Sequence, residues 1–319
     1  VCRAGVRTGA ANAFPARKLP ETIEKARRGR NRQRIVKTRI RRRISLPREP
    51  HTVPFVSKEN KREGFPMRIT YLGQCGFLIE AAGTRIVTDP YLSDYVDRNF
   101  FSPETPWRRR YPAPTALAQL KPDGVLISHS HGDHMDPWTL GAYSASGGSA
   151  VIAAPAPECA LLEGLGIHPL LKARADEPFA IASAIVTPIP CAHTELHRDE
   201  AGDFRELSYF MEVDGLRLFF GGDMSLYDGL TERLEAEKPD LLLLPVNGRD
   251  DERTKKGIIG NIDEAEAASL AARLHVFYIP MHWDLYDING CGEEAILLAA
   301  RNAGAVIRLM RPMETIEVS

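Results

Sequence analysis

The sequence predicts an α/β protein built in layers, two β-sheets sandwiched between helices, behind a basic extension that has no core of its own. Three observations carry this. Composition breaks sharply at Met67. From there, short apolar runs alternate with turn signals, and in the second half helical segments interleave with the strands. With 319 residues, 44% apolar and 26% charged, the chain has the make-up of a soluble globular protein able to bury a core. No apolar run approaches the roughly 20 residues that cross a bilayer, so a membrane is not an expected partner.

Residues 1–66 hold 14 Arg and 5 Lys against 5 Glu, a net +14, while the remainder carries −15. This segment lacks periodicity and large apolar residues, so it cannot offset its ordering entropy and is expected to be mostly disordered. A short helix over Glu21–Arg34 is the one exception considered. Three readings stand: a nucleic-acid-binding arm, an organelle-targeting segment, or upstream sequence translated from a misplaced start. The first lacks clustered aromatics, the acidic remainder weighs against nucleic acid as a partner, and the third is preferred. The globular domain is therefore placed at 67–319.

From Met67 the elements follow in order. Arg68–Leu72 and Phe77–Ala81 flank Gly73-Gln74-Cys75-Gly76, and Thr84–Thr88 follows Gly83, giving an antiparallel meander that ends at Asp89-Pro90. Val125–Ser128, Val151–Ala154, Ile185–Pro188, Tyr209–Val213, Leu216–Phe220, Leu241–Val246 and Val276–Pro280 read as further strands. Asp214-Gly215 is the hairpin turn between two of them. Asp263-x-x-Glu266 reads as a capping box opening Glu264–Leu274. Ser225–Glu237 and Glu293–Ala303 read as helices, the latter closed by Gly304. The five cysteines are scattered without a C-x-x-C pair. They read as reduced, packed thiols of a reducing, cytoplasmic setting, with Cys191 weighed and set aside as a ligand.

The chemistry is concentrated in SHSHGDHMD, where His129, His131, Asp133 and His134 fall in six residues directly after a strand. Neutral imidazoles and a carboxylate bind a divalent ion readily. In extended chain His129 and His131 share one face, and Gly132 lets the backbone turn Asp133 and His134 toward a second position. One loop cannot fill two sites. His193, Asp223 and His282 each follow an apolar strand and supply the missing donors, with Gly221 and Gly222 permitting close approach at Asp223.

This order of motifs resembles the metallo-β-lactamase fold superfamily, over Met67 to about Pro312. The resemblance implies a four-layer αββα sandwich with His129, His131 and His193 on one metal, Asp133, His134 and His282 on the second, and Asp223 bridging. Asp89 would buttress the ligand loop by hydrogen bond. PVNGRD, IIGN and IPMHWD look like the L-ascorbate-6-phosphate lactonase-like branch. A Cys ligand of the lactamases proper is replaced by Asp223, and His131 stands where redox di-iron relatives have Glu. Both departures favour hydrolysis.

The expected activity is a metal-dependent hydrolase acting through a metal-bound hydroxide, Asp133 and Asp223 carrying the chemistry. The substrate expected is a lactone of a phosphorylated sugar acid. The alternatives are a phosphodiesterase for cyclic nucleotides or phospholipids, and a nucleic-acid-binding protein acting through the basic arm. The N/O donor set suits Mn²⁺ or Zn²⁺, with Fe²⁺ also compatible, on one or two sites. Asn247, Arg249 and Gln74 are the expected contacts to a small anionic substrate, with Arg253 beside them. Against this, Arg249 could form a surface ion pair with Asp250 or Asp251. His197 is weighed as a proton donor to the leaving group, an exposed loop histidine being preferred. Trp107 and Arg108–Arg110 are read by default as a solvated charged face, with a rim or oligomer contact as the alternative, which leaves homo-oligomerisation open.

Overall fold

A computed structural model describes residues 66–319; the expected disordered extension and its Glu21–Arg34 helix lie outside the described residues. The first sheet has seven strands: β1 (Met67–Gly73), β2 (Gly76–Ala81), β3 (Thr84–Thr88), β4 (Gly124–Leu126), β5 (Val151–Pro155), β6 (Leu170–Ala173) and, at its far edge, β13 (Thr315–Val318). Their spatial order is β13-β1-β2-β3-β4-β5-β6. The second sheet comprises β7 (Phe179–Ile181), β8 (Ala184–Pro190), β9 (Leu207–Val213), β10 (Leu216–Phe220), β11 (Leu241–Pro245) and β12 (Phe277–Met281), ordered β12-β11-β10-β9-β8-β7.

Alternation along the strands explains how the layers bind. In β11 every residue is apolar or Pro because both faces are buried. Leu241 and Leu243 enter a core shared with Ile69, Phe77, Ile86 and Leu126 of the first sheet. Leu242 and Leu244 point the other way, against Leu234, Ala267, Ala271 and Ile296 of the helices Leu230–Glu237, Glu264–Leu274 and Glu293–Ala303. The expected sandwich of two sheets with helices is thus observed. Glu264–Leu274 carries its capping box, Asp263 accepting from the Glu266 amide and Glu266 from the Asp263 amide. Gly304 ends Glu293–Ala303 at φ +69°.

The differences from expectation are local. The helix read from Ser225 begins at Leu230, after Gly229 at φ +91°. Strands β6, β7 and β13 and the helix Pro137–Ala145 were not anticipated; the latter is capped by Asp136, which accepts from the Trp138 and Thr139 amides. Among the described residues no helix is long and apolar enough to cross a membrane.

Strand direction positions the site. β1, β3 and β4 run the same way, as do β8, β10, β11 and β12. The segments that follow them carry Gln74 and Cys75, Asp89, the histidine-rich loop, His193, Asp223 and His282, all beyond the C-terminal ends of strands.

Candidate metal centre

Three non-glycine residues in left-handed backbone meet here: Gln74 at φ +56°, Asp89 at +31° and His282 at +61°. Each such residue costs on the order of 1 kcal/mol or more and persists only where its surroundings fix it. The His282 amide donates to the Gln74 carbonyl at 3.0 Å, and the Tyr71 hydroxyl donates to the same oxygen at 3.2 Å. Asp89 Oδ1 accepts from the Ser128 amide at 2.7 Å, and Oδ2 from the Ser128 hydroxyl at 2.6 Å. Gly222, at φ +62°, lies where an added Cβ would come within 2.8 Å of Ser128 Cβ, so glycine lets the β10 loop close onto the histidine-rich loop.

The structure brings the seven expected side chains together. The carboxylate of Asp223 is their centre: its Oδ2 lies 3.4 Å from His193 Nε2, 3.3 Å from His282 Nε2 and 4.0 Å from His129 Nε2, and its Oδ1 lies 3.3 Å from His134 Nε2. His129 Nε2 and His131 Nδ1 are 2.9 Å apart. Asp133 Oδ2 lies 3.4 Å from His282 Nε2 and 3.7 Å from His134 Nε2. An ion with tetrahedral ligands at about 2.1 Å holds its donors about 3.4 Å apart, so these spacings fit shared cations.

The orphaned nitrogens give an independent test. His134 Nε2 and His193 Nε2 are buried with no hydrogen-bond partner among the described residues, a state that buried imidazoles avoid unless an ion completes them. Donor atoms of His129, His131, His193 and Asp223 lie mutually within 4.8 Å, as do those of Cys75, His134, Asp223 and His282. Asp89 stands behind the cluster as expected, its Oδ2 2.7 Å from His134 Nδ1, which aims the opposite nitrogen at Asp223.

Charge divides the cluster. Burial, then the neighbouring His134 and His131, holds His129 well below the usual imidazole range; burial and His193 push His131 down to about 4. At His134 burial opposes charge, but Asp223, Asp133 and Asp89 outweigh it and hold the ring well above that range. At His282 Asp223 and Asp133 likewise prevail over burial and raise it to about 9. Asp133 and Asp223 stay ionised well below the usual carboxylate range, burial being overcome chiefly by His134 and His282.

The expected substrate contacts divide. Gln74 is at the centre: its Nε2 donates to Asp133 Oδ2 at 2.7 Å and lies 3.0 Å from His282 Nε2. Arg249 is engaged elsewhere in this structure. Its guanidinium forks onto Glu266 at 2.6 and 2.7 Å and donates to the Asn261 carbonyl, so its donors are committed to a helix cap and not to an anion; the partner is neither Asp250 nor Asp251. Asn247 is engaged likewise, its amide spanning Asn289 and Asn261 in a buried side-chain network. Arg253 pairs with Asp250 and bonds the Asn247 carbonyl. His197, half-exposed, bonds Glu206 at 3.2 Å. Cys191 gives its thiol to the Asp223 and Gly221 carbonyls. In the Pro-bounded insert Trp107 packs edge-on against Tyr286 and Arg109 stacks over Tyr91.

The residue that sequence reasoning missed is Cys75, fully buried with its Sγ 3.8 Å from Asp223 Oδ1. Its neighbour Gln74 and the glycines around it marked the hairpin, but nothing local marked the thiol.

The family model described as Beta-lactamase superfamily domain matches residues 68–282. A UPF0173 metal-dependent hydrolase of Archaeoglobus fulgidus is 24% identical over 265 residues, covering 79% of this chain and 99% of that protein. One of Opitutus terrae is 28% identical over 274 residues, covering 79% and 100%. Among solved structures Igni18, a metallo hydrolase from Ignicoccus hospitalis, is similar in fold, with a TM-score of 0.61 at 21% identity over 80% of this chain and 99% of that one.

Proposed function

This chain belongs to the beta-lactamase superfamily and is a metal-dependent hydrolase of that fold, and from that premise we propose that it opens small lactones or related carboxylic esters. The observation that carries the reading is Asp223, whose one carboxylate lies within 3.4 Å of three imidazole nitrogens drawn from both ligand sets. His129, His131 and His193 would hold one divalent ion, His134, His282 and Asp133 the other, with Asp223 between them. Bound there, such ions lower the pKa of water towards 7 and polarise a carbonyl or phosphoryl oxygen.

The chain's own groups supply the rest. His129, His134, His193, Asp223 and His282 are buried, whereas His131 and Asp133 reach partial exposure, so substrate approaches along Ser130–Asp133. Asp133, held ionised and clamped by the Gln74 amide, is placed to accept a hydrogen bond from the attacking water and to align it. Gln74 turns its side-chain N–H groups to Asp133 and His282, which leaves its side-chain carbonyl for the polar groups of the substrate.

A neutral carbonyl suits this environment better than a phosphodiester. The cations expected to meet a phosphate, Arg249 and Arg253, are spent on Glu266 and Asp250, so the phosphorylated part of the expected sugar-acid lactone has lost its anchor. The four described cysteines are free thiols, three of them buried, which supports a reducing, cytoplasmic setting.

The test uses the full chain, stripped and reloaded with Mn²⁺ or Zn²⁺, against a panel of lactones and bis-p-nitrophenyl phosphate. Metal-dependent lactone opening is the expected result. Phosphodiester cleavage without lactone opening would replace this reading with a phosphodiesterase.

A further inference from the structure

We propose that Cys75 is a thiolate ligand of the second metal position, joining His134, His282 and Asp223. The inference rests on the metal-dependent reading above and adds a sulfur donor to it.

Compare the three buried cysteines. Cys191 rests its thiol on the Asp223 and Gly221 carbonyls, at 3.1 and 3.6 Å. Cys159 rests its own on the Ala154, Pro155 and Leu171 carbonyls. Both are packed thiols satisfied by backbone, the ordinary state of a small buried Cys. The contact recorded for Cys75 Sγ is instead a carboxylate oxygen of the ligand cluster, Asp223 Oδ1 at 3.8 Å. A sulfur at about 2.3 Å and an oxygen at about 2.1 Å from one tetrahedral ion are about 3.6 Å apart.

A second observation points to an ion there. His134 Nε2 is wholly buried and without a hydrogen-bond partner among the described residues. It belongs to the same set as Cys75, whose four donor atoms lie mutually within 4.8 Å. The hairpin fixes the sulfur's position: left-handed Gln74 turns the chain, and the Thr88 hydroxyl donates to the Cys75 carbonyl at 3.0 Å. Coordination expels the thiol proton to solvent as the sulfur–metal bond forms, with no change of oxidation state. A soft donor shifts this position toward Zn²⁺ or Co²⁺ and away from Mn²⁺.

The experiment loads the full chain with Co²⁺ at fixed pH and measures bound metal and the near-ultraviolet spectrum together. Expected is a sulfur-to-cobalt charge-transfer band that Cys75→Ser abolishes and Cys191→Ser retains. In competition, Cys75→Ser should weaken Zn²⁺ at one position by at least about tenfold, with a smaller change for Mn²⁺. Two bound Co²⁺ without the band in the unaltered protein, a result that needs no variant to fold, overturns the ligand role and leaves the hydrolase reading standing. A band that survives Cys75→Ser, or disappears with Cys191→Ser, also overturns it. Failure to bind Co²⁺ at all overturns both.

Discussion

The two ligand sets share Asp223 yet differ in the protons they carry. On one side burial and neighbouring imidazoles hold His129 well below the usual range and push His131, chiefly through His193, down to about 4. On the other, Asp223 and Asp133 hold His134 and His282 protonated in the metal-free chain, His282 up to about 9. At His134 and His282 the carboxylates prevail over burial, whereas at His129 and His131 burial and neighbouring imidazoles prevail over the same carboxylates. An ion entering the first set displaces no proton from these two rings near neutral pH. An ion entering the second must take the place of protons that stabilise the empty cluster.

The sharpest way to break the comparison is to remove what the sets share. Asp223→Ala should lose both ions and lower the hydrolytic rate by on the order of 10³-fold or more. Metal analysis and turnover on one preparation check this together. Two ions retained in that variant would show that the sets are independent.

Acid sharpens the contrast. Affinity of the second position should rise about tenfold per pH unit for each proton displaced, up to pH of about 9, while His129 and His131 should add little such dependence to the first set well above pH of about 4. Calorimetry in buffers of different ionisation enthalpy counts the protons. The metal-free protein should respond in the opposite sense. A raised His282 contributes stability that is fully present below 6.5 and is lost as pH rises through about 9. Thermal melts of stripped protein over that window should therefore fall with pH, and a flat profile would remove the charge difference between the sets.

Asp89→Asn acts from behind the second set. It weakens the acceptor that fixes His134 Nδ1 at 2.7 Å, and metal affinity there should drop about 10- to 100-fold. The first set should be affected less, even though Ser128, which Asp89 also holds, lies 2.9 Å from His129 Nδ1.

What could be read in the sequence is what depends on near neighbours. The H-x-H-x-D-H spacing, the Asp263–Glu266 capping box, the Asp214-Gly215 turn and the limits of Glu264–Leu274 and Glu293–Ala303 are set within a few residues. Strands β6, β7 and β13 have three or four residues each and mixed burial, too short for any periodicity to show. Five of the nine residues of Pro137–Ala145 are Trp, Thr, Gly, Tyr and Ser, poor helix formers that mask its Leu and two Ala, and its start is owed to Asp136. The role of Cys75 depends on Asp223, 148 positions away, and no local pattern could reveal it. Arg249 misled for the same reason: Asp250 and Asp251 were its neighbours in sequence, but its partner was Glu266, 17 residues on.

The smallest effect tests that last point. The cluster is buried and its geometry is tightly determined, whereas Arg249 has a side chain 45% exposed and pairs across a helix start. An ion pair so open to solvent contributes about 0–1 kcal/mol, here by bracing a Glu266 that also accepts from the Asp263 amide. Arg249→Gln should thus lower the melting temperature slightly and leave KM for charged and uncharged lactones within about twofold of each other's change. Suppose instead that KM rises about tenfold for a phosphorylated lactone alone. The guanidinium would then have to leave Glu266 for the substrate, and the helix cap would be exchanging a modest internal pair for a bidentate phosphate contact of greater strength.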